Sequence, residues 1–500
     1  MNREQLSDAI GRLDEAIIEE TMKHRRRKPW WVAAVAVAAC LCLAVGMVTV
    51  WPQIRPQGVQ PPISNEKGGT TTMPTNSNKE NPSVSHLSYA LAQPQYPQMA
   101  ARPADEDYGD AYDAWWDDVR AQRVMAEEHS DGMTDYYAKT MEQFLSGEAG
   151  ENRVYSPLNV YLALAMLAET AEGDSRRQIL NLLGVSDLNA LREKCGGLWN
   201  GVYLDDGAVT SLLANSLWLA EGDRWAYDED TVNALARHYY ASVFEGEMGD
   251  AAYDKALQDW INQQTDNLLT EQAGDLAFDP NTVLALASTI CFRAKWYDEF
   301  WEENNREGVF HTADGDVDVT YMTQSPMMSA YFGDRFTAVS KDLDDGAYQM
   351  VFFLPDEGVT VNDLVTDRQV LALMEGNESA VDSKFIKVNM SIPKFDVVSD
   401  QDLIGGLKKL GVTDVFDAKK SDFGGILAEQ TDPVWVNKVQ HAARVAIDEE
   451  GVTAAAYTVM QLCGSPMPQD EIDFTLDRPF MFAITGPGST LLFTGVVENP

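Results

Sequence analysis

Ile447-Asp448-Glu449-Glu450-Gly451-Val452-Thr453-Ala454-Ala455-Ala456 is the stretch on which the fold turns. Acids and a glycine lead into a run that reaches Cys463 without charge, proline or glycine. Side chains alternate across a strand. From Val452 every second residue (Val452, Ala454, Ala456, Thr458, Met460, Leu462) is small or apolar and able to enter a core. The intervening set, Thr453, Ala455, Tyr457, Val459, Gln461 and Cys463, tolerates a surface better. Proline in a central strand removes a ladder hydrogen bond, and the first proline after the run is Pro466. The segment has the make-up of a strand that fits inside a sheet. Taken alone, the alternation also describes an ordinary buried strand.

Around this stretch, residues 131–500 mix helical and extended patterns. Tyr136, Met141, Phe144 and Leu145 open a helix. Met350-Val351-Phe352-Phe353-Leu354-Pro355 is a short apolar strand ended by proline. Phe385–Ile392 alternates like a half-buried strand, and Leu491–Val497 reads as a buried terminal one. No regular βαβ period appears, so the class is α+β, in one large domain. Against 38 basic residues the chain carries 78 acidic ones, a formal charge of −40, which excludes a nucleic-acid partner needing a basic face. Five cysteines in 500 residues exclude a disulfide scaffold. There is no G-x-S-x-G, Walker loop, G-x-G-x-x-G or H-E-x-x-H. The six histidines (His24, His86, His129, His238, His311, His441) lack metal-ligand spacing. The expectation is a protein that is not an enzyme and holds no metal or cofactor.

The N-terminal region is organised differently. In residues 1–29, Leu6, Ile10, Leu13 and Ile17 mark an amphipathic helix, and a basic cluster, Lys23–Lys28, follows. Residues 30–51 form an uncharged apolar run with Trp30, Trp31 and Trp51 at its ends, about 20 residues and long enough to span a membrane. The flanking basic cluster orients residues 1–29 to the cytoplasm and the rest outside, on a single-pass anchor. A cleaved signal peptide has a shorter apolar stretch and a small-residue cleavage site. Val37-Ala38-Ala39-Cys40 resembles a lipoprotein box, but the chain stays apolar after Cys40. Residues 52–104, rich in Pro, Gln, Ser, Thr, Asn and Gly, read as a disordered linker. Tyr108, Tyr112, Trp115 and Trp116 suggest docking on a folded body that spans 105–500.

Several segments, in order, resemble the serpin family of protease inhibitors. Asn152–Val160 is similar to its N-v-f-x-S-P-x-S-i segment, and Trp260-Ile261-Asn262 with Thr265 to its W-[IV]-x-x-x-T helix. Phe292-Arg293-Ala294-Lys295-Trp296, with Phe300 and Phe310, resembles F-K-G-x-W-x-x-x-F and the later phenylalanine. Ile392-Pro393-Lys394-Phe395 resembles L-P-K-F, and Leu407–Val415 the segment after it. Val439-Gln440-His441 leads to the opening stretch, similar to the hinge E-E-G-T-x-A-A-A. Asp477-Arg478-Pro479-Phe480 and Leu492-Phe493-Thr494-Gly495 resemble the C-terminal signature.

The resemblance implies three β-sheets, about nine helices and an exposed reactive-centre loop. A target serine protease cleaves the loop and forms an acyl-enzyme, and the freed loop inserts as a strand of the largest sheet. It makes Glu449, Glu450, Gly451, Val452, Thr453, Ala454, Ala455 and Ala456 the hinge. It makes Ser156, Asn159, Ser288, Trp296, Lys394 and His441 the residues where that sheet parts. Asn159 and Ser288 stand where the family has serine and asparagine, and each of the two can donate and accept. Counting from Glu449 puts the cut at Ser465-Pro466, but proline after a cut suits serine proteases badly. The expected bond therefore lies within Leu462, Cys463, Gly464 and Ser465. No Lys or Arg lies between Gly451 and Asp477, so elastase-, chymotrypsin- or subtilisin-like targets are expected rather than trypsin-like ones. Cys463 reads as a small uncharged residue rather than a redox switch. The expectation is a monomeric bacterial inhibitor tethered outside the cell, with a non-inhibitory binding or structural surface protein as the alternative.

Overall fold

The computed structural model describes residues 85–97, 102–103, 109–206, 209–222, 224–344, 347–428, 432–452 and 470–500. The expected membrane span 30–51 and segment 1–29, most of the linker, and Thr453 through Ser465 lie outside the described residues. Among the described residues no helix is long and apolar enough to cross a membrane.

The fold is α+β, as the mixed patterns indicated. Its interior axis is the helix Pro157–Thr170, buried on nearly every side because its sequence is apolar all round. Ser156 caps it, accepting from the Asn159 backbone N–H at 3.4 Å, and Pro157 takes the first position, where a missing N–H costs nothing. The helix packs on one side against the strand Leu284–Lys295 and on the other against Thr490–Val497. Phe480–Gly486 and Thr490–Val497 pair with each other and are buried at every residue, as the apolar ending suggested.

Two hydrogen-bonded sheets flank this axis. The first runs, in spatial order, Ala90–Ala92, Ala241–Gly246, Thr210–Ala220, Leu284–Lys295, Gly451–Val452, Gln440–Ile447 and Phe395–Asp402. The second has ten strands. Three sheets were expected, but the last two are continuous through the strand Asp382–Pro393. Its first half pairs with Met327–Phe332, and its second half pairs with Gly315–Gln324 and Glu471–Thr475. Twelve extended residues reach about 40 Å, long enough to serve both.

Eleven α-helices are present among the described residues, against the nine expected. One that the sequence left unassigned, Asp110–Ser130, buries Trp115, whose indole N–H donates to Asp206 at 3.2 Å. Strand pairing and aromatic packing are also present before residue 105, within the stretch read as linker. Ala90–Ala92 pairs with Ala241–Gly246 and becomes the edge strand of its sheet, and Tyr96 stacks on Trp199 with ring centroids 5.3 Å apart. The physical reason is aromatic: Tyr89 and Tyr96 supply buried area that the polar composition around them concealed.

Candidate functional site

The first sheet has a slot in it. Leu284–Lys295 and Gln440–Ile447 are not hydrogen-bonded to each other; among the described residues they are linked only by the two-residue strand Gly451–Val452 between their upper ends. Below those two residues lies a cavity of about 520 Å³, lined by Asn159, Leu164, Leu286, Ser288, His441 and Ala442 among others. Residues Leu284–Ser288 are only half-buried as a result, although they belong to a central strand. Unpaired strand edges are strong acceptors of a further strand.

At the slot's upper end a bracket holds Glu449–Val452, the described part of the expected hinge. Asp448 makes the turn: its carboxylate accepts the backbone N–H groups of Glu450 at 2.9 Å and Gly451 at 3.1 Å. Gly451 pairs with Lys295 so closely that a Cβ there would stand 2.3 Å from the Ala294 carbonyl oxygen, so only glycine fits. Val452 is 2 % exposed and pairs with Ala294 and Ile447. The Trp296 indole N–H donates to the Asp448 carbonyl at 2.9 Å, the Trp296 backbone N–H to Glu450 and the Phe300 N–H to Glu449, both at 3.0 Å. The Glu449 carboxylate meets Lys394 Nζ at 2.5 Å and also accepts from Asn305. Burial pushes that carboxyl upward, but the bonds from Lys394 and Asn305 outweigh it and hold it below the usual carboxylate range.

In the middle of the slot four expected residues meet. The Ser156 backbone N–H donates to His441 Nε2 at 3.1 Å, and Ser156 Oγ donates to the Leu492 carbonyl at 2.7 Å. A backbone N–H can only donate, so Nε2 is unprotonated and the neutral ring carries its proton on Nδ1. Burial alone pushes the His441 pKa down to about 4. Across the gap, Asn159 Nδ2 donates to the Ser288 carbonyl at 3.2 Å, tying the central helix to the opposite edge. Ser288 Oγ donates to Asn215 Oδ1 at 2.6 Å, and Asn215 Nδ2 donates to the Tyr239 carbonyl at 2.8 Å. Each edge of the slot is thus fastened to the helix beneath by one polar contact. A set of single hydrogen bonds can part without disturbing the apolar core.

Ser156, Asn159, Ser288, Trp296, Lys394, His441, Glu449, Glu450, Gly451 and Val452 therefore all sit along one slot. Thr453, Ala454, Ala455, Ala456, Leu462, Cys463, Gly464 and Ser465 lie outside the described residues. Sequence reasoning missed Asn215, Asn305 and Asp448. Asp448 alone had a local signal, an acid three residues before a glycine at a strand end. Among the described residues no group of His, Cys, Asp and Glu could hold a metal ion.

Known proteins match this architecture. The model of the family described as "Serpin (serine protease inhibitor)" matches residues 132–500. Serpin-ZX of Arabidopsis thaliana is 26 % identical over 398 residues, covering 77 % of this chain and 99 % of its own length. The solved native state of tengpin, a thermophilic serpin, aligns with a TM-score of 0.67 at 22 % identity over 82 % of this chain and 99 % of its own. A complex of thyroxine-binding globulin with thyroxine aligns at 0.61 and 21 % identity over 75 % of this chain and 99 % of its own. The long helix Asp110–Ser130 precedes the matched segment. From residue 132 to its end the chain belongs to the serpins, a family whose members are generally protease inhibitors and form complexes with their target proteases.

Proposed function

We propose that this serpin inhibits serine proteases by suicide cleavage, with the segment after Val452 as bait. The observation that carries the reading is the slot whose upper end already holds the first hinge residues, Gly451 against Lys295 and Val452 against Ala294. The protease serine oxygen attacks the carbonyl carbon of a bond within Leu462–Ser465. The carbon–nitrogen bond breaks, the protease histidine passes the serine's proton to the departing amine, and an ester joins the two proteins. Water would next hydrolyse that ester. Strand insertion ahead of hydrolysis drags the protease away and distorts its site, which leaves the ester intact.

The register supports insertion. Continued residue by residue, the pairing of Val452 with Ala294 would bring Leu462 opposite Leu284, the first residue of that strand. The pairing of Ile447 with Val452, continued likewise, would bring Thr458 opposite His441, and on its other side Thr458 would face Ser288. A hydroxyl would thus arrive between the two polar fasteners of the slot. The apolar set that begins with the buried Val452 would continue into the core. The absence of Lys and Arg from Gly451 to Asp477 favours elastase-, chymotrypsin- or subtilisin-like targets.

The same reading makes the chain a monomeric bacterial surface protein, anchored by residues 30–51 with residues 1–29 inside the cell. Co-sedimentation with membranes, and digestion of the serpin body by protease added to intact cells, would support that placement; recovery in the soluble fraction would contradict it. A second reading is favoured by the thyroxine-binding globulin neighbour, a serpin fold solved with a small molecule bound. In that case this chain is a non-inhibitory binding protein. Mixing the full chain with elastase, chymotrypsin and subtilisin separates the readings on a denaturing gel. A band at the summed mass, with a cut between Leu462 and Ser465, is the outcome for an inhibitor. Complete cleavage without such a band is the outcome for a binding protein.

A further inference from the structure

Lys341, on the strand Phe336–Leu343, is 5 % exposed and forms no ion pair among the described residues. Its ammonium donates to the Asp298 carbonyl at 2.5 Å and to Gln324 Oε1 at 2.8 Å. It also stands 4.5 Å from the centre of the Phe300 ring and 5.6 Å from that of Trp296. All three of its contacts on the segment 296–300 belong to the bracket that grips the hinge. Trp296 and Phe300 are the residues whose N–H groups hold the carbonyls of Asp448, Glu449 and Glu450. The Tyr297 N–H donates to the Asp342 carbonyl at 3.0 Å, fastening that bracket to the lysine's own strand.

We propose that Lys341 is a positioning residue for the hinge: its charged amine holds the Trp296–Phe300 bracket in place, and loss of that charge loosens the grip on Gly451–Val452. The inference rests on the inhibitor reading, because the hinge matters only if the loop inserts. A cation over two aromatic faces gains electrostatically only while charged, and its bond to a carbonyl is likewise charge-assisted. A neutral amine keeps the shape of the side chain and loses both. Burial pushes the Lys341 pKa down to about 8, with Asp298 and Asp342 acting in the opposite direction. The other charged groups of the bracket are Lys295 and Glu299, 3.6 Å apart, while Gln324 and the cross-strand partner Met350 are neutral. The hinge acid Glu449 is already engaged by Lys394. Insertion competes with hydrolysis, so a hinge that has slipped its register starts late and more inhibitor is consumed as substrate.

The test is the stoichiometry of inhibition, the number of full-length chains consumed per protease trapped, read for wild type, Lys341→Met and Lys341→Arg. The protease's own hydrolysis of the ester enters the ratio equally for all three chains at a given pH, so the comparison between chains isolates insertion. Wild type should rise about threefold or more from pH 7 to about pH 9.5, with its midpoint near the lysine's pKa. Lys341→Met, which preserves volume and removes the charge, should be raised at pH 7 and flat. Lys341→Arg, always charged, should stay low throughout. Identical pH profiles in wild type and Lys341→Met would overturn the proposal. Trp emission of the intact chain gives a readout independent of inhibition: a transition near pH 8 present in wild type and missing from Lys341→Met is expected. If no protease is trapped but this transition appears, the inhibitor reading fails while the link between Lys341 and the bracket stands. If the transition is missing from wild type, the link itself fails.

Discussion

His441 shows how one imidazole can hold a sheet edge and make it sensitive to acid. Its Nε2 accepts the Ser156 N–H, and protonation would leave two N–H donors facing each other in a buried site. The folded-state pKa of about 4 lies below the free value of 6.5, so the unfolded chain binds the proton first. Stability is therefore full above pH 6.5 and falls as pH drops through 4, by about 3 kcal/mol in all. Thermal unfolding of wild type and His441→Gln from about pH 7 to pH 4 checks this. The wild-type transition temperature should fall more steeply than that of the variant, and parallel curves would show that another group is responsible. The histidine was legible only because Val439-Gln440-His441 precedes the hinge; nothing in its immediate neighbours distinguishes it from any buried histidine. Lys341 was not legible at all. A lysine in Phe336–Leu343 reads as a solvated position of a strand, and its burial arises from residues 296–300 folding over it.

At the scale of the element, the two-residue strand Gly451–Val452 is the link between the two edges of the slot among the described residues. Val452 sits in the core, so Val452→Arg would bury an unpaired charge at a cost of several kcal/mol or expel the hinge from the slot. The native body should remain folded, because the remaining contacts of the sheet edges are independent of this residue. With a protease that traps wild type, the variant should be cleaved as a substrate with about a tenth or less of the covalent complex on a denaturing gel. Undiminished complex would mean that the hinge does not need to dock. The alternation from Val452 onward has the period of two that a central strand would impose, and Val452, its described member, is buried. The helix Asp110–Ser130 was not legible in the sequence, for a physical reason. Its buried face is only Trp115, Val119 and Ala126, and the closeness of its packing is supplied by glycines on the partner helix Leu188–Val202. A Cβ at Gly201 would stand 2.5 Å from that of Ala126, and one at Gly197 would strike the His129 ring. Flatness on one helix that receives another 70 residues earlier leaves no local signature in either.

At the scale of the whole molecule, the described residues form a fold with one strand's place left open. Ordered elements upstream of the family match, Ala90–Ala92 and Asp110–Ser130, extend one edge of the slotted sheet and cover a helix, while the second sheet and the central helix form the fixed base. The class was readable because it depends on periodicity and on ordered motifs. The continuity of the second sheet was not, since it depends on how far one twelve-residue strand reaches. If the inhibitor reading holds, the slot between Leu284–Lys295 and Gln440–Ile447 takes the cleaved loop as its missing strand. The most direct measurement is amide hydrogen exchange on both strands, together with the melting temperature, before and after a single cut in the loop. Insertion should slow exchange along Leu284–Phe292 and Gln440–Ala446 and raise the melting temperature by more than about 10 °C. A cleaved chain with unchanged exchange in those strands and unchanged melting would contradict it.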